Sequence, residues 1–168
     1  MDGRSRNLKS GCVKQRLRRL DRLYLRSPVH FVTACTATRR HILSNPDVHR
    51  AFTKFGERGS EHGAWIGRYL LMPDHPHAFI VLDDERSDLS TWMKSLKNML
   101  SKALREMRVP TPHWQKGFFD HVLRTEESAA SKWDYIRENP VRAGLVANWE
   151  KWPYSGECHR LEYRSERF

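Results

Sequence analysis

The sequence predicts an α+β fold: a four-stranded antiparallel sheet of ferredoxin-like topology with helices packed on one face. Two observations carry that expectation. Runs rich in strand formers alternate with runs whose apolar residues recur at helical spacing, in the order strand, helix, strand, strand, helix, strand, helix. The second and third strands are separated only by Pro73-Asp74, a turn dipeptide that makes them an antiparallel hairpin. A length of 168 residues with 39% hydrophobic content suits one domain with a modest core plus extensions.

Taken in order, Val13, Leu17, Leu20 and Tyr24 recur at helical spacing and predict a short amphipathic helix over 13–25, which Pro28 interrupts. His30 to Ala37 is the first strand. Asn45-Pro46-Asp47 signals a helix start, and Val48, Ala51, Phe52 and Phe55 form its apolar stripe as far as Gly56–Gly59. Ala64 to Met72 and His75 to Leu82 are the second and third strands. A longer helix over about 88–107 follows, with an apolar stripe running from Leu89 through Leu96 to Leu104 and with Lys94, Lys97, Lys102 and Arg105 on its outer face. Pro110-Thr111-Pro112 ends it. Phe118 to Arg124 is the fourth strand, and Thr125 opens a helix over about 126–138 that stops at Asn139-Pro140.

The charge balance points to a polyanionic partner. Formal net charge is +10 and the pI about 9.9. Residues 1–26 hold nine Arg and Lys against two Asp, which is either an arm that lies along phosphates or a solvated basic end. Candidate nucleic-acid contacts are Arg16, Arg18, Arg19 and Arg22 in this arm, Lys94, Lys97 and Lys102 on the long helix, Arg137 at the end of the last helix and Arg142 beyond it. Cys12, Cys35 and Cys158 form no C-x-x-C pair, and their odd number argues against a disulfide framework. With no signal-peptide pattern and no apolar stretch of membrane-spanning length, a reducing cytoplasm is the expected compartment.

Three features some sixty residues apart fit one chemistry. His75 and His77 are two apart on a strand, so they project from the same face, and two neighbouring imidazoles can hold one divalent ion. Pro76 between them has no N–H and is expected to cost a central strand one ladder bond. Tyr135 and Asn139, four apart, share a face if their run is helical. A phenol is a weak nucleophile at neutral pH, and a metal that polarises a phosphate supplies the help it needs. Asn139 offers an amide oxygen as third ligand. Asp120 and His121 point to opposite faces of their strand, and one of them is a candidate to support the site.

The chain resembles the IS200-like tyrosine transposases, and among them the REP-associated tyrosine transposases. The matching pieces are Met72-Pro73-Asp74-His75-Pro76-His77, Trp114-Gln115-Lys116-Gly117-Phe118-Phe119-Asp120-His121, Tyr135-Ile136-Arg137-Glu138-Asn139-Pro140-Val141-Arg142-Ala143-Gly144-Leu145-Val146 and Trp152-Pro153-Tyr154-Ser155. The resemblance spans about residues 28–156. It implies an HUH endonuclease fold at 27–156, with 1–26 as a basic arm and 157–168 as a tail. It implies that His75, His77 and Asn139 bind Mg²⁺ or Mn²⁺. Tyr135 would attack single-stranded DNA carrying REP-like hairpins, leaving a 5′-phosphotyrosine link and a free 3′-hydroxyl. The family usually has a larger aliphatic residue where Pro76 stands. A monomer or a homodimer is expected. The alternative is a domesticated relative that grips hairpin DNA or RNA without cutting.

Overall fold

The computed structural model describes residues 22–25 and 28–163. Its centre is a five-stranded, wholly antiparallel sheet. The strands in chain order are β2 (Val29–Thr33), β3 (Ala64–Met72), β4 (His75–Leu82), β5 (Phe119–Leu123) and β6 (Ser155–Glu157), preceded by β1 (Arg22–Leu25) and followed by β7 (Arg160–Tyr163). Across the sheet they lie β5-β2-β4-β3-β6. The four predicted strands therefore take the order fourth, first, third, second, which is the ferredoxin-like arrangement. The sequence reading missed β6, whose three residues (Ser-Gly-Glu) carry no alternation, yet which pairs with Arg68–Leu70 and caps the β3 edge.

Three helices pack on this sheet, but not on one face. The expectation of a single helical face is wrong because side chains alternate across each strand and both faces are apolar. Val32, Ala78, Ile80, Leu82 and Leu71 bury against α1 (Pro46–Arg58) and α2 (Leu89–Glu106), through Val48, Phe52, Trp92, Leu96 and Leu100. Phe31, Phe79, Val81, Leu70 and Leu123 bury against α3 (Glu126–Ile136), through Trp133 and Ile136. Each helix begins at a residue that satisfies an otherwise unpaired N–H: Asn45 accepts from Val48, Asp88 from Thr91, and Thr125 shares a reciprocal capping box with Ser128.

Two further expectations change. Residues 22–25, predicted as the end of a helix, form β1, paired in parallel with β7 from Arg22↔Arg160 to Leu25↔Tyr163. The remainder of the predicted helix, residues 13–21, lies outside the described residues. The helix predicted over 126–138 stops at Ile136, and a separate turn, α4 (Asn139–Arg142), follows. Pro140 explains the break, since it lacks an N–H and its ring collides with the carbonyl four residues back. Among the described residues no helix is long and apolar enough to cross a membrane.

Pro76 sits in β4 at a position that takes nothing from the β3 ladder. It faces Leu71 of β3. Leu71 directs its N–H to the Tyr154 carbonyl, and its own carbonyl accepts from Trp152 Nε1, so both groups point away from β4. Pro76 and Leu71 are thus a pair that exchanges no ladder bonds. On its other side the β2 ladder begins only at Thr33↔His77. The missing N–H of Pro76 therefore lies on the β2 side, where the ladder ends beside it.

Candidate active site

The hairpin β3–β4 places His75 and His77 at the start of β4, on the face covered by α3. The rings lie 4.7 Å apart between centroids, nearly perpendicular. Each is anchored through Nδ1. His75 Nδ1 donates to Asp74 Oδ1 at 2.6 Å, and Asp74 Oδ2 takes Arg39 Nε at 2.7 Å. His77 Nδ1 is 2.7 Å from Thr33 Oγ1, across the β2–β4 pairing. On its other edge His77 Nε2 meets Asn139 Nδ2 at 3.1 Å. An amide nitrogen only donates, so Nε2 carries the lone pair, Nδ1 carries the proton, and Thr33 accepts it. Phe31 stacks on the His77 ring at 5.3 Å.

The electrostatics keep both rings neutral. Burial, with lesser contributions from His75, Lys132 and Arg39, pulls the His77 imidazole down to about 3. Burial also lowers His75, partly offset by its bond to Asp74. Burial pushes the Asp74 carboxyl up, but the hydrogen bond from His75, with the nearby Arg39 charge, outweighs it and holds it below the ordinary range. The Asp74–His75 contact is therefore a carboxylate accepting from a neutral ring. The Nε2 lone pair of His75 is left open, and that of His77 accepts from the Asn139 amide.

Asn139 reaches His77 across sixty-two positions of sequence because α4 starts just where α3 ends over β4. Its amide oxygen accepts from Arg142, whose Nη2 also donates to the Tyr135 carbonyl at 2.8 Å. The Arg142 guanidinium lies 4.3 Å over the Tyr135 ring. Tyr135 itself is 65% exposed, so it is not a core residue. Trp133 and Ile136 dock α3; Tyr135 stands on its open side.

Two neutral imidazoles oriented from behind, with a carboxamide beside one of them, fit a divalent cation of the Mn²⁺ or Mg²⁺ class. Among the described residues no group of three or more histidine, cysteine or carboxylate side chains is gathered here; the Asn139 amide stands beside His77 with its nitrogen towards the ring and its oxygen on Arg142.

The other expected residues are placed as follows. His121 pairs with Phe31 on the site's face of the sheet, whereas Asp120 pairs with Val32 on the other. Both are exposed and neither contacts the histidines. Lys94 and Lys102 are exposed on α2, across the sheet from the site. Lys97 is not the free cation expected there. Its Nζ donates to the carbonyls of Gln115 and Gly117 and lies 5.8 Å over the Trp114 ring, tying that loop down. Arg137 pairs with Asp134 at 3.2 Å and lies over the Trp149 ring at 4.7 Å. Arg22 lies in β1, and Arg16, Arg18 and Arg19 lie outside the described residues. Sequence reasoning missed Thr33, Arg39 and Lys132. Only the topology brings Thr33 opposite His77, and no spacing could have shown it. Asp74 did carry a signal, as a carboxylate directly before the first histidine.

Comparison with known proteins places the chain among similar ones. The profile of the family described as "Transposase IS200 like" matches residues 25–139. A REP-associated tyrosine transposase of Escherichia coli K12 is 26% identical over 138 residues, covering 80% of this chain and 79% of that one. The solved structure of a REP-associated tyrosine transposase bound to a REP hairpin shares the fold, with a TM-score of 0.60 at 24% identity, covering 79% of this chain and 78% of that one.

Proposed function

The chain belongs to the IS200-like transposase family, and from that premise we propose that it is a metal-dependent single-strand DNA endonuclease and strand transferase working through a 5′-phosphotyrosine intermediate. The observation that carries the reading is the Asn139–His77 contact, which joins the tyrosine segment to the histidine pair. His75, His77 and Asn139 hold Mg²⁺ or Mn²⁺. When bound, the cation withdraws charge from the scissile phosphate and stabilises the charge that develops on it. Tyr135 Oη forms the new bond to phosphorus. The P–O3′ bond breaks, its electron pair stays on the 3′ oxygen, which takes up a proton, and the phenol proton passes to water. One phosphodiester replaces another, so the bond energy is retained for rejoining to a second 3′-hydroxyl.

The substrate in this reading is single-stranded DNA with REP-like hairpins, supported by what the E. coli relative and the hairpin-bound structure are named for. Asn139, Arg142 and the open side of Tyr135 face the strand, and the basic N-terminal residues add phosphate contacts. The reaction takes place in the cytoplasm. The test is cleavage of end-labelled single-stranded hairpin DNA from the same genome, in Mn²⁺ and in EDTA. Wild type yields a metal-dependent 3′-hydroxyl fragment, and His75→Ala and His77→Ala do not. Hairpin binding with no cleavage in any metal would instead support a binding module.

A further inference from the structure

We propose that Arg142 is the positioning residue that couples the tyrosine to the third metal ligand, an inference resting on the roles just given to Tyr135 and Asn139. One guanidinium makes three contacts that converge on the site. It lies over the Tyr135 ring, 4.3 Å from its centroid. Its Nη2 donates to the Tyr135 backbone carbonyl at 2.8 Å. The same Nη2 donates to Asn139 Oδ1, while the far end of that amide touches His77 Nε2 at 3.1 Å. A continuous chain of contacts thus runs from the phenol, through the guanidinium and the carboxamide, to the imidazole.

The arrangement has a reason in the backbone. Pro140 breaks the helix between Tyr135 and Asn139, so no continuous i, i+4 ladder fixes one side chain relative to the other. Arg142 restores the link across the break by grasping the last turn of α3 at the Tyr135 carbonyl. The tyrosine is exposed and would otherwise sample its rotamers freely. Among the described residues Arg142 forms no ion pair, which a guanidinium kept only for surface charge balance would be expected to make. Lysine cannot take its place. An ammonium is a point charge, without the planar face that a guanidinium sets against a ring while one of its nitrogens holds two oxygens.

The coupling has a direct readout. Tyrosine ring signals of ¹³C-labelled protein are assigned to Tyr135 by their loss in Tyr135→Phe. Arg142→Ala and Arg142→Lys are expected to move the Tyr135 signal towards that of a free tyrosine. Asn139→Ala is expected to move it in the wild-type background and not in Arg142→Lys. Mn²⁺ affinity, measured by titration without DNA, is expected to fall about 10-fold in both arginine variants, the order seen when a group orienting a ligand is removed. Single-turnover adduct formation is expected to fall at least as far, while binding of single-stranded DNA, measured with Tyr135→Phe present, changes much less. An unmoved Tyr135 signal, or full restoration of Mn²⁺ affinity by lysine, would overturn the proposal. A loss of DNA binding that accounts for the whole rate loss would overturn it too, making Arg142 a phosphate contact alone. Because the ring signal and the Mn²⁺ titration need no cleavage, a protein that cuts nothing still tests Arg142, and that failure would count only against the proposed chemistry.

Discussion

Lowering the pH should unfold this protein through one buried imidazole. His77 is neutral in the folded state, pulled to about 3 mainly by burial, while in the unfolded chain it titrates at its ordinary 6.5. Above pH 6.5 neither state carries the proton and the residue makes no pH-dependent contribution. Below 6.5 the unfolded chain takes up a proton that the folded site refuses, so stability falls with pH until about pH 3, where the folded ring also protonates. Each pH unit in that window is worth about 1.4 kcal/mol, so the descent from 6.5 to 5.0 removes about 2 kcal/mol. That is a large share of a typical net stability of about 5–15 kcal/mol. The assay is urea unfolding at pH 7.5, 6.5, 5.5 and 5.0 in EDTA, comparing wild type with His77→Gln. Glutamine does not titrate, so the variant lacks this proton uptake. Wild type should be the more stable at pH 7.5, and its advantage should shrink by about 2 kcal/mol by pH 5.0. A constant advantage across the range would show that the folded ring accepts a proton. His77 Nε2 would then not be reserved as a lone pair, and the residue would lose its standing as a metal ligand.

Three other outcomes follow from the contacts. Asp74→Asn removes the carboxylate that fixes the His75 tautomer, and Mn²⁺ affinity should drop by roughly 10–100-fold; an unchanged titration would show that the Asp74–His75 bond is ornamental. Trp133→Ala empties the main anchor of α3 and should cost about 3–5 kcal/mol in urea unfolding, whereas Tyr135→Phe, on the open side of the same helix, should stay within about 0.5 kcal/mol. Equal costs would place Tyr135 in the core. Deleting residues 1–21, which spares β1, should weaken single-stranded DNA binding and flatten its salt dependence by about 0.7 in log–log slope for each phosphate that the deleted residues neutralise. Identical salt slopes would mean that those residues touch no phosphate.

The sheet was legible because its signals are local. The β3–β4 hairpin needs only Pro73-Asp74 between two apolar runs, and α2 needs only its apolar stripe. The ferredoxin-like order of four strands followed from the order of the elements. What escaped has no local signature. Ser155–Glu157 becomes a strand because an open β3 edge is beside it, and Arg22–Leu25 because β7 is. The placing of α3 opposite α1 and α2 depends on Phe79 and Val81 being as apolar as Ile80 and Leu82, a pattern equally compatible with a strand buried on one side or on both. At the site, the histidine spacing and the tyrosine segment were readable as motifs. The supports were not: Thr33 and Arg39 reach the histidine pair only through tertiary contacts, and Lys97 looked like a free cation until the Trp114–Gly117 loop folded over it. Which side of β4 the missing donor of Pro76 would fall on depends on the register, which places it on the β2 side where that ladder ends.

The central claim is that Tyr135 becomes covalently attached to DNA. The most direct measurement is the intact mass of the denatured protein after incubation with single-stranded REP-like hairpin DNA and Mn²⁺, followed by mapping of the modified peptide. The expected result is a species heavier than the protein by the mass of the 5′-phosphorylated product strand, carried on the peptide containing Tyr135, and absent in EDTA and in Tyr135→Phe. An adduct on another residue, or one that persists in Tyr135→Phe, would contradict it.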